Sequence, residues 1–244
     1  MLDVSQLSKR FGGLRAVHDV SLTVPAGAIV ALIGPNGAGK TTTFAMIAGF
    51  IRPDAGTIRL DGQDITGLRP DRIAARGMVR TFQITQPFAG LTVMENIRVG
   101  AFLRTANTGE ATDRARAIGT SLGLAAFLDR PAAALTVAGR KRLEVARALA
   151  TMPRLLLLDE VMAGLNPSEI HDIVAMIQDI RAGGVTILLI EHIMQAVAAL
   201  ADHVYVLAEG ALIAQGAPRA IANDPAVIEA YLGRGAAARM ANHA

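Results

Sequence analysis

The hydrophobic pattern of this chain consists of short apolar runs, which predict strands, and of longer stretches with helical periodicity. Apolar residues recur at helical spacing from Val93 to Leu149, and strand-like runs lie on both sides of that stretch. The predicted strands are Val20–Val24, Ala28–Ile33, Val79–Phe82, Leu155–Leu158, Val185–Ile190 and Val204–Leu207, with a hairpin of Thr57–Leu60 and Gln63–Ile65 around Asp61-Gly62. The predicted helices are Thr42–Phe50, Val93–Arg104, Glu110–Leu122, Arg140–Ala150 and Pro167–Arg181. This order predicts a parallel α/β core that is interrupted by a helical insert near residues 87–150.

Composition agrees with a folded core and excludes several classes of protein. Of the 244 residues, 52% are hydrophobic and 18% are charged, which is ample for a buried core. The chain has no cysteine, so it has neither disulfides nor a thiolate metal site. Aromatic residues make up 4% and the formal net charge is +3, so we expect no nucleic-acid partner. Apolar runs such as Leu155–Leu158 are far shorter than the ~20 residues that span a membrane, so any membrane role requires a partner subunit.

A phosphate-binding loop follows the predicted strand that ends at Ile33. Residues Gly34 to Thr41 fit the pattern G-x-x-x-x-G-K-[ST] in full, and they lie between a strand and a helix as that loop requires. The glycines allow successive N–H groups and the helix N-terminus to point at the β- and γ-phosphates of ATP. Lys40 supplies a positive charge to those phosphates, and Thr41 places a hydroxyl on Mg²⁺. The predicted nucleotide-binding residues here are Asn36, Gly37, Ala38, Gly39, Lys40, Thr41 and Thr42.

Two acidic residues end another predicted strand. Four leucines, Leu155–Leu158, run directly into Asp159 and Glu160. A buried central strand would deliver both carboxylates to the carboxyl edge of the sheet, beside the phosphate loop. Asp159 would then hold Mg²⁺ through water, and Glu160 would polarise the water that attacks the γ-phosphate. Taken alone, the pair is equally compatible with a helix cap, and the phosphate loop favours the catalytic interpretation.

Four further segments make the chain similar to the ATPases of ABC transporters. Thr81-Phe82-Gln83 resembles the Q-loop, Leu135–Leu149 resembles the signature motif with its helix, Ala163–Asn166 resembles the D-loop, and Glu191-His192 resembles the H-loop. Each segment alone has an ordinary explanation, such as a surface amide, a solvated basic helix face or a helix cap. Their shared order and spacing, from about residue 11 to residue 192, are those of the family.

The resemblance implies roles for several side chains outside the phosphate loop. Gln83 would contact Mg²⁺ and report its presence to the helical insert, and His192 would donate a hydrogen bond to the γ-phosphate. Together with Glu160 these two residues complete the implied catalytic set. Phe11 lies where the family carries the aromatic ring that stacks on adenine, with Val17 beside it, although Phe11 could instead be a core residue.

The signature motif departs from the family's usual Leu-Ser-Gly-Gly-Gln. Val137 and Ala138 replace the two glycines and Gly139 replaces the glutamine, whereas Thr136 keeps the hydroxyl group. The resemblance implies that Thr136, Ala138 and Gly139 contact the ATP of a second ATPase subunit in a head-to-tail dimer. Two side chains in place of glycines make a close approach of the backbone to that phosphate harder.

Within the family, the chain is most similar to the ATPases of branched-chain amino acid (Liv-type) importers. The cues are Ala163–Pro167, Glu191-His192 and the stretch Gly210–Gly233. Such systems combine two ATPase subunits, here expected as a heterodimer, with two membrane permeases and a periplasmic solute-binding protein that the ATPase does not touch. The implied place of this chain is the cytoplasmic face of the inner membrane, as a peripheral subunit. The alternatives are an ATPase for lipopolysaccharide export and a non-transport ABC ATPase.

The resemblance also implies the fold and its division. We expect a P-loop NTPase (ABC ATPase) core with a parallel central sheet, an N-terminal antiparallel β part and an inserted helical subdomain. Within a single domain of residues 1–244, the nucleotide-binding core is expected at 1–86 and 151–216. The helical subdomain with the signature motif is expected at 87–150, and a C-terminal helical extension and tail at 217–244.

Overall fold

The computed structural model of the chain describes residues 1–81 and 87–233. It divides into two compact units, the first formed by Met1–Pro70 and the residues from Thr186 onward, the second by Asp71–Val185. The predicted site residue Gln83 and the predicted tail beyond Gly233 lie outside the described residues. None of the helices in the described ranges has the length and apolar character needed to cross a membrane.

The secondary structure consists of ten strands and nine α-helices across the described residues. The strands are β1 (Leu2–Phe11), β2 (Leu14–Val24), β3 (Ile29–Ile33), β4 (Ala55–Leu60), β5 (Gln63–Asp64), β6 (Met78–Arg80), β7 (Leu155–Asp159), β8 (Thr186–Ile190), β9 (His203–Ala208) and β10 (Ala211–Gly216). The helices are α1 (Lys40–Ile47), α2 (Pro70–Ala75), α3 (Val93–Ala101), α4 (Thr108–Ser121), α5 (Val137–Ala150), α6 (Pro167–Ala182), α7 (Met194–Leu200), α8 (Pro218–Ala222) and α9 (Pro225–Leu232).

The first unit contains an antiparallel sheet in the order β2-β1-β4-β5. Leu2, Val4 and Leu7 of β1 are buried, while the residues between them face solvent. This alternation gives the strand one apolar face for the core and one polar face for water. The sequence did not predict β1, because polar residues interrupt the alternation beyond Val4. The pairing of β1 with β2 also shifts in register beyond Val4.

The other strands of the first unit place β3 between two parallel neighbours. β3 pairs with β8 on one side and with β9 on the other, and β10 adds an antiparallel partner to β9. Every residue of β3 and β8 is buried, as expected for parallel strands covered on both faces. Leu32 lies opposite Ile190, so β3 and β8 end at the same edge. The phosphate loop and the residues after Ile190 therefore begin side by side.

The second unit packs helices α3, α4 and α5 together and carries the parallel pair β6 and β7. The apolar side chains Val93 and Ile97 of α3 are fully buried. Arg104 follows α3 and ties it to two other chain segments, because its guanidinium donates to the carbonyl oxygens of Thr151 at 2.7 Å, Ala75 at 3.0 Å and Ala74 at 3.1 Å.

Several element bounds differ from those predicted. Helix α1 begins at Lys40 rather than at Thr42, and α5 begins at Val137 rather than at Arg140. Both helices start inside a glycine-containing motif, which the sequence pattern interprets as loop because glycine is a poor helix former. The short elements α2, α7 and β10 were not predicted, because segments of six or seven residues carry little periodic signal, whereas α8 and α9 fall within the range of the expected C-terminal helical extension. The predicted helical insert, 87–150, falls within the second unit.

Candidate functional site

Two glycines shape the phosphate loop through close backbone approach and positive φ angles. Gly34 follows β3 with φ of 149°, and a Cβ atom there would overlap the carbonyl oxygen of Leu207. Gly39 has φ of 98° and precedes α1, and a Cβ atom there would lie 2.5 Å from the carbonyl oxygen of Ala16. Both conformations disfavour any other residue. The glycines of the motif are therefore required by the geometry of the loop itself.

Lys40 lies across the phosphate loop at the first position of α1. Its ammonium donates to the carbonyl oxygens of Gly34 at 2.7 Å and Pro35 at 2.9 Å, and the residue is only 7% exposed. These two contacts hold the ammonium against the backbone of the loop. Among the other predicted nucleotide-binding residues, Asn36, Gly37 and Thr41 are exposed, Gly39 and Thr42 are half-buried, and Ala38 is buried.

The turn between β9 and β10 is hydrogen-bonded to the phosphate loop. The N–H of Gly210 donates to the carbonyl oxygen of Ala38 at 3.1 Å, and the carbonyl oxygen of Gly210 accepts from the N–H of His18 at 2.7 Å. Tyr231 of α9 also reaches this loop. Burial raises the pKa of the Tyr231 phenol, an effect that a backbone hydrogen bond from Gly34 partly offsets. The C-terminal segment therefore contacts the loop directly, which the sequence pattern did not indicate.

His192 and Phe11 are both accessible in the first unit. His192 is exposed and lies two residues after β8, at the edge where the phosphate loop leaves β3. Phe11 ends β1 with 47% of its surface exposed, and the ammonium of Lys9 lies 5.7 Å from the centre of its ring. The alternative that Phe11 is a core residue therefore does not hold. Val17 is fully buried, with its Cγ2 atom facing Gly39.

Asp159 ends β7 in the second unit and forms a buried ion pair with Arg80 of the neighbouring strand β6. Nη2 of Arg80 lies 2.6 Å from Oδ2 of Asp159, and the two side chains are 9% and 1% exposed. The hydroxyl of Thr81 accepts from the N–H of Asp159 at 3.1 Å, which fixes the strand end. Sequence reasoning missed Arg80. The only signal was the presence of a charged residue within the predicted strand Val79–Phe82.

The second carboxylate oxygen of Asp159, Oδ1, is buried and has no hydrogen-bond partner among the described residues. A carboxylate oxygen fits Mg²⁺, which prefers hard oxygen ligands and usually takes only one or two of them from the protein. Of the two other residues predicted to contact the metal, Gln83 lies outside the described residues, and Thr41 is an exposed residue of the first unit that carries a hydroxyl oxygen. The carboxylate of Asp159 and the hydroxyl of Thr41 are both donor types that suit the metal.

Glu160 follows Asp159 with an unusual backbone conformation. Its φ angle is 48°, in the left-handed region that non-glycine residues rarely adopt. Its carbonyl oxygen accepts two donors, the ammonium of Lys141 at 3.2 Å and the N–H of Ala163 at 3.2 Å. Farther along the chain, Asn166 caps α6 by accepting from the N–H of Glu169 at 3.0 Å. Sequence reasoning missed the Lys141 contact.

The signature residues form the first turn of α5. The hydroxyl of Thr136 caps the helix by accepting from the N–H of Gly139 at 3.1 Å. Thr136 and Val137 are exposed, and Ala138 and Gly139 are half-buried. An exposed helix N-terminus with free N–H groups favours an anion. The substituted motif therefore still forms a helix start, at Val137 rather than at the predicted Arg140.

We expect the effects of replacing Arg80 and Asp159 on the free energy of unfolding to be non-additive. Replacing one partner of a buried pair leaves an uncompensated charge, so Arg80→Met should lower the free energy of unfolding by ~3–5 kcal/mol. The double variant Arg80→Met/Asp159→Asn should lose less than the sum of the two single variants. Urea denaturation without nucleotide measures all three. Arg114→Met, which breaks an ion pair with the exposed carboxylate of Glu110, is the control and should cost less than ~1 kcal/mol. Strict additivity in the double variant would contradict the coupling.

Comparisons with known proteins identify the family. The model of the ABC transporter family matches residues 17–163, and a model described as branched-chain amino acid ATP-binding cassette transporter matches residues 211–237. The chain is 43% identical over 251 residues to the high-affinity branched-chain amino acid transport ATP-binding protein BraF of Pseudomonas aeruginosa, covering 96% of this chain and 98% of BraF. It is 43% identical over 249 residues to LivG of Escherichia coli strain K12, a protein with the same description, with the same coverage.

A solved structure confirms the predicted fold. The chain superposes on the ADP conformation of an ATP-binding cassette of an ABC transporter with a TM-score of 0.88 and 33% identity, covering 96% of this chain and 99% of that one. The family match spans the phosphate loop, the signature helix and the acidic strand end. The chain therefore belongs to the ABC transporter family, as one of its ATP-binding, ATP-hydrolysing cassettes.

Proposed function

We propose that this chain is the ATPase subunit of an ABC importer for branched-chain amino acids. The observation that carries the proposal is the combination of an ATP-binding cassette with a C-terminal segment, residues 211–237, that matches the model of branched-chain amino acid cassettes. The relatives BraF and LivG, which are described as branched-chain amino acid transport proteins, match over nearly their whole length.

The residues of the site receive separate roles in ATP hydrolysis. Lys40 and the N–H groups of its loop bind the phosphates, and Phe11 stacks on adenine. Thr41 and Asp159 are the protein oxygens for Mg²⁺, which neutralises charge on the β- and γ-phosphates when it is bound. Gln83, outside the described residues, is proposed as a further contact to the metal.

Glu160 and His192 are proposed as the residues that act on the reacting atoms. The carboxylate of Glu160 accepts a hydrogen bond from the attacking water and so raises its nucleophilicity. His192 donates to the γ-phosphate, where negative charge accumulates in the transition state. The exposure of His192 at the edge of the phosphate loop supports this role.

A second ATPase subunit would complete each nucleotide site. The exposed cap Thr136 and the first turn of α5, including Ala138 and Gly139, are available to the ATP held by another subunit. A helix N-terminus stabilises a phosphate through its dipole and its free N–H groups. We propose a head-to-tail heterodimer, in which this turn faces the phosphate loop of the partner ATPase.

Exposed apolar side chains of the second unit are proposed to bind a permease subunit. Val99, Phe102 and Leu103 are exposed along and just after α3, and Phe88, which precedes the start of α3, is exposed as well. The guanidinium of Arg147 lies 4.6 Å from the centre of the Phe88 ring. A cluster of exposed apolar groups favours a protein partner. Docking there would hold the chain at the cytoplasmic face of the inner membrane as a peripheral subunit, with the solute-binding protein on the other side.

Transport in reconstituted vesicles tests the proposed function. We expect vesicles that contain both ATPase subunits and both permeases, with ATP enclosed, to accumulate labelled leucine, isoleucine or valine once the solute-binding protein is added outside. Vesicles with the Lys40→Ala subunit serve as the control and should accumulate none. ATP-dependent release of lipopolysaccharide without amino acid uptake would instead favour an exporter. Hydrolysis that no permease stimulates would favour a non-transport ATPase.

A further inference from the structure

Lys141 links the signature helix to the backbone of Glu160. It lies on α5, five residues after the cap Thr136, and it is only 6% exposed. Its ammonium donates to the carbonyl oxygen of Glu160 at 3.2 Å. The neighbouring basic residues behave differently, because Arg140 donates to the carbonyl oxygen of Leu135, which is part of its own motif.

Arg142, the third basic residue of the run, binds at the surface of the second unit. Its guanidinium donates to the carbonyl oxygen of Leu122 at 3.3 Å and to the exposed carboxylate of Asp172 at 3.1 Å. The three consecutive cations therefore have three different environments. Lys141 is the one that faces the end of β7.

The contact falls on a residue with a left-handed backbone conformation. With φ of 48°, Glu160 occupies a conformation that costs free energy for a residue with a Cβ atom. Such strain persists only where the surroundings fix it, and here the ammonium of Lys141 and the N–H of Ala163 both hold the Glu160 carbonyl oxygen. A hydrogen bond from a buried charged donor is stronger than one between neutral groups. The direction of the Cα–Cβ bond, and hence of the carboxylate, follows from this backbone conformation.

We propose that Lys141 is a positioning residue that holds Glu160 in the orientation needed for hydrolysis. The inference rests on the proposed function, in which Glu160 polarises the attacking water. Because α5 is a continuous helix from Val137 to Ala150, a displacement of its first turn moves Lys141 as well. A nucleotide bound at Thr136–Gly139 by the partner subunit is thereby sensed at the glutamate of this chain.

Steady-state kinetics of the assembled transporter test the inference. Lys141→Met keeps an unbranched apolar side chain but removes the charged donor, and we expect kcat to fall by about tenfold or more, since small misplacements of catalytic groups have effects of that size. The KM for ATP should change by less than about twofold, because the phosphate loop is untouched. Lys141→Arg should restore most of kcat. Arg142→Met is the matched control from the same helix and should keep the wild-type kcat.

Two further variants, Lys141→Gln and Glu160→Gln, separate the role of Lys141 from that of Glu160. If Lys141→Met does not fold, Lys141→Gln replaces it, because glutamine is one atom too short to reach the Glu160 carbonyl and the same loss of kcat is expected. Glu160→Gln is measured in parallel. If Glu160→Gln is inactive while Lys141→Met or Lys141→Gln keeps the wild-type kcat, the role of Lys141 is overturned and the role of Glu160 stands. Wild-type turnover in Glu160→Gln overturns the role proposed for Glu160 itself. A fall in kcat that Arg142→Met shares, or that Lys141→Arg does not restore, also contradicts positioning by Lys141.

Discussion

Replacing Lys40 by alanine is expected to weaken ATP binding by about ten- to a hundredfold. The ammonium lies across the phosphate loop, 2.7 Å from the carbonyl oxygen of Gly34, and it is the only cation of that loop. Losing a hydrogen bond to a charged group costs ~1.5–3 kcal/mol, which corresponds to that range of affinities. The N–H groups and the start of α1 remain, so some affinity should persist.

Calorimetric titration with ATP and Mg²⁺ measures this loss. The comparison is best made with Glu160→Gln present in every protein, so that hydrolysis does not consume the ligand. Arg59→Ala, which removes an exposed cation from β4 in the same unit, is the matched control and should bind ATP as the parent does. An affinity for the Lys40→Ala protein within about threefold of the parent would remove Lys40 from the phosphate contacts.

The elements that the sequence predicted best are those with uninterrupted local signals. The strand Leu155–Leu158 followed by two acids is found as β7, fully buried through Asp159. The phosphate loop was predicted because its glycine spacing, strand and helix are all local features of the chain. A helix cap was one ordinary explanation for the D-loop-like segment, and in the structure Asn166 does cap α6, in a capping box with Glu169.

Sequence patterns did not predict the contacts between residues that lie far apart along the chain. Arg80 and Asp159 are 79 positions apart, and Lys141 and Glu160 are 19 apart, so neither pair lies within a single periodic element. Hydrophobic periodicity predicts which face of an element is buried, but it contains no information on which polar groups meet inside. The left-handed conformation of Glu160 was likewise not predictable, because glutamate has no preference for it.

The C-terminal segment illustrates the same limit. Its resemblance to Liv-type ATPases was visible in the residues, but its contact with the phosphate loop through Tyr231 depends on how α9 packs within the first unit. Short helices that begin at proline, as α8 and α9 do, give a start signal and too few turns to show a buried face. Packing of such elements is determined by tertiary contacts rather than by local propensity.

The most direct test of the account is the hydrolysis rate of the Glu160→Gln protein in the assembled transporter. An amide is a poor partner for the attacking water, so turnover should fall by about a hundredfold or more, in the range of general-base contributions. Binding of ATP should be retained, because the phosphate loop is unchanged. Glu169→Gln, which alters the exposed cap of α6 but keeps a capping side chain, is the control and should hydrolyse ATP normally. Retained ATP binding with lost turnover in Glu160→Gln is the predicted result, and turnover at the wild-type rate would contradict the account.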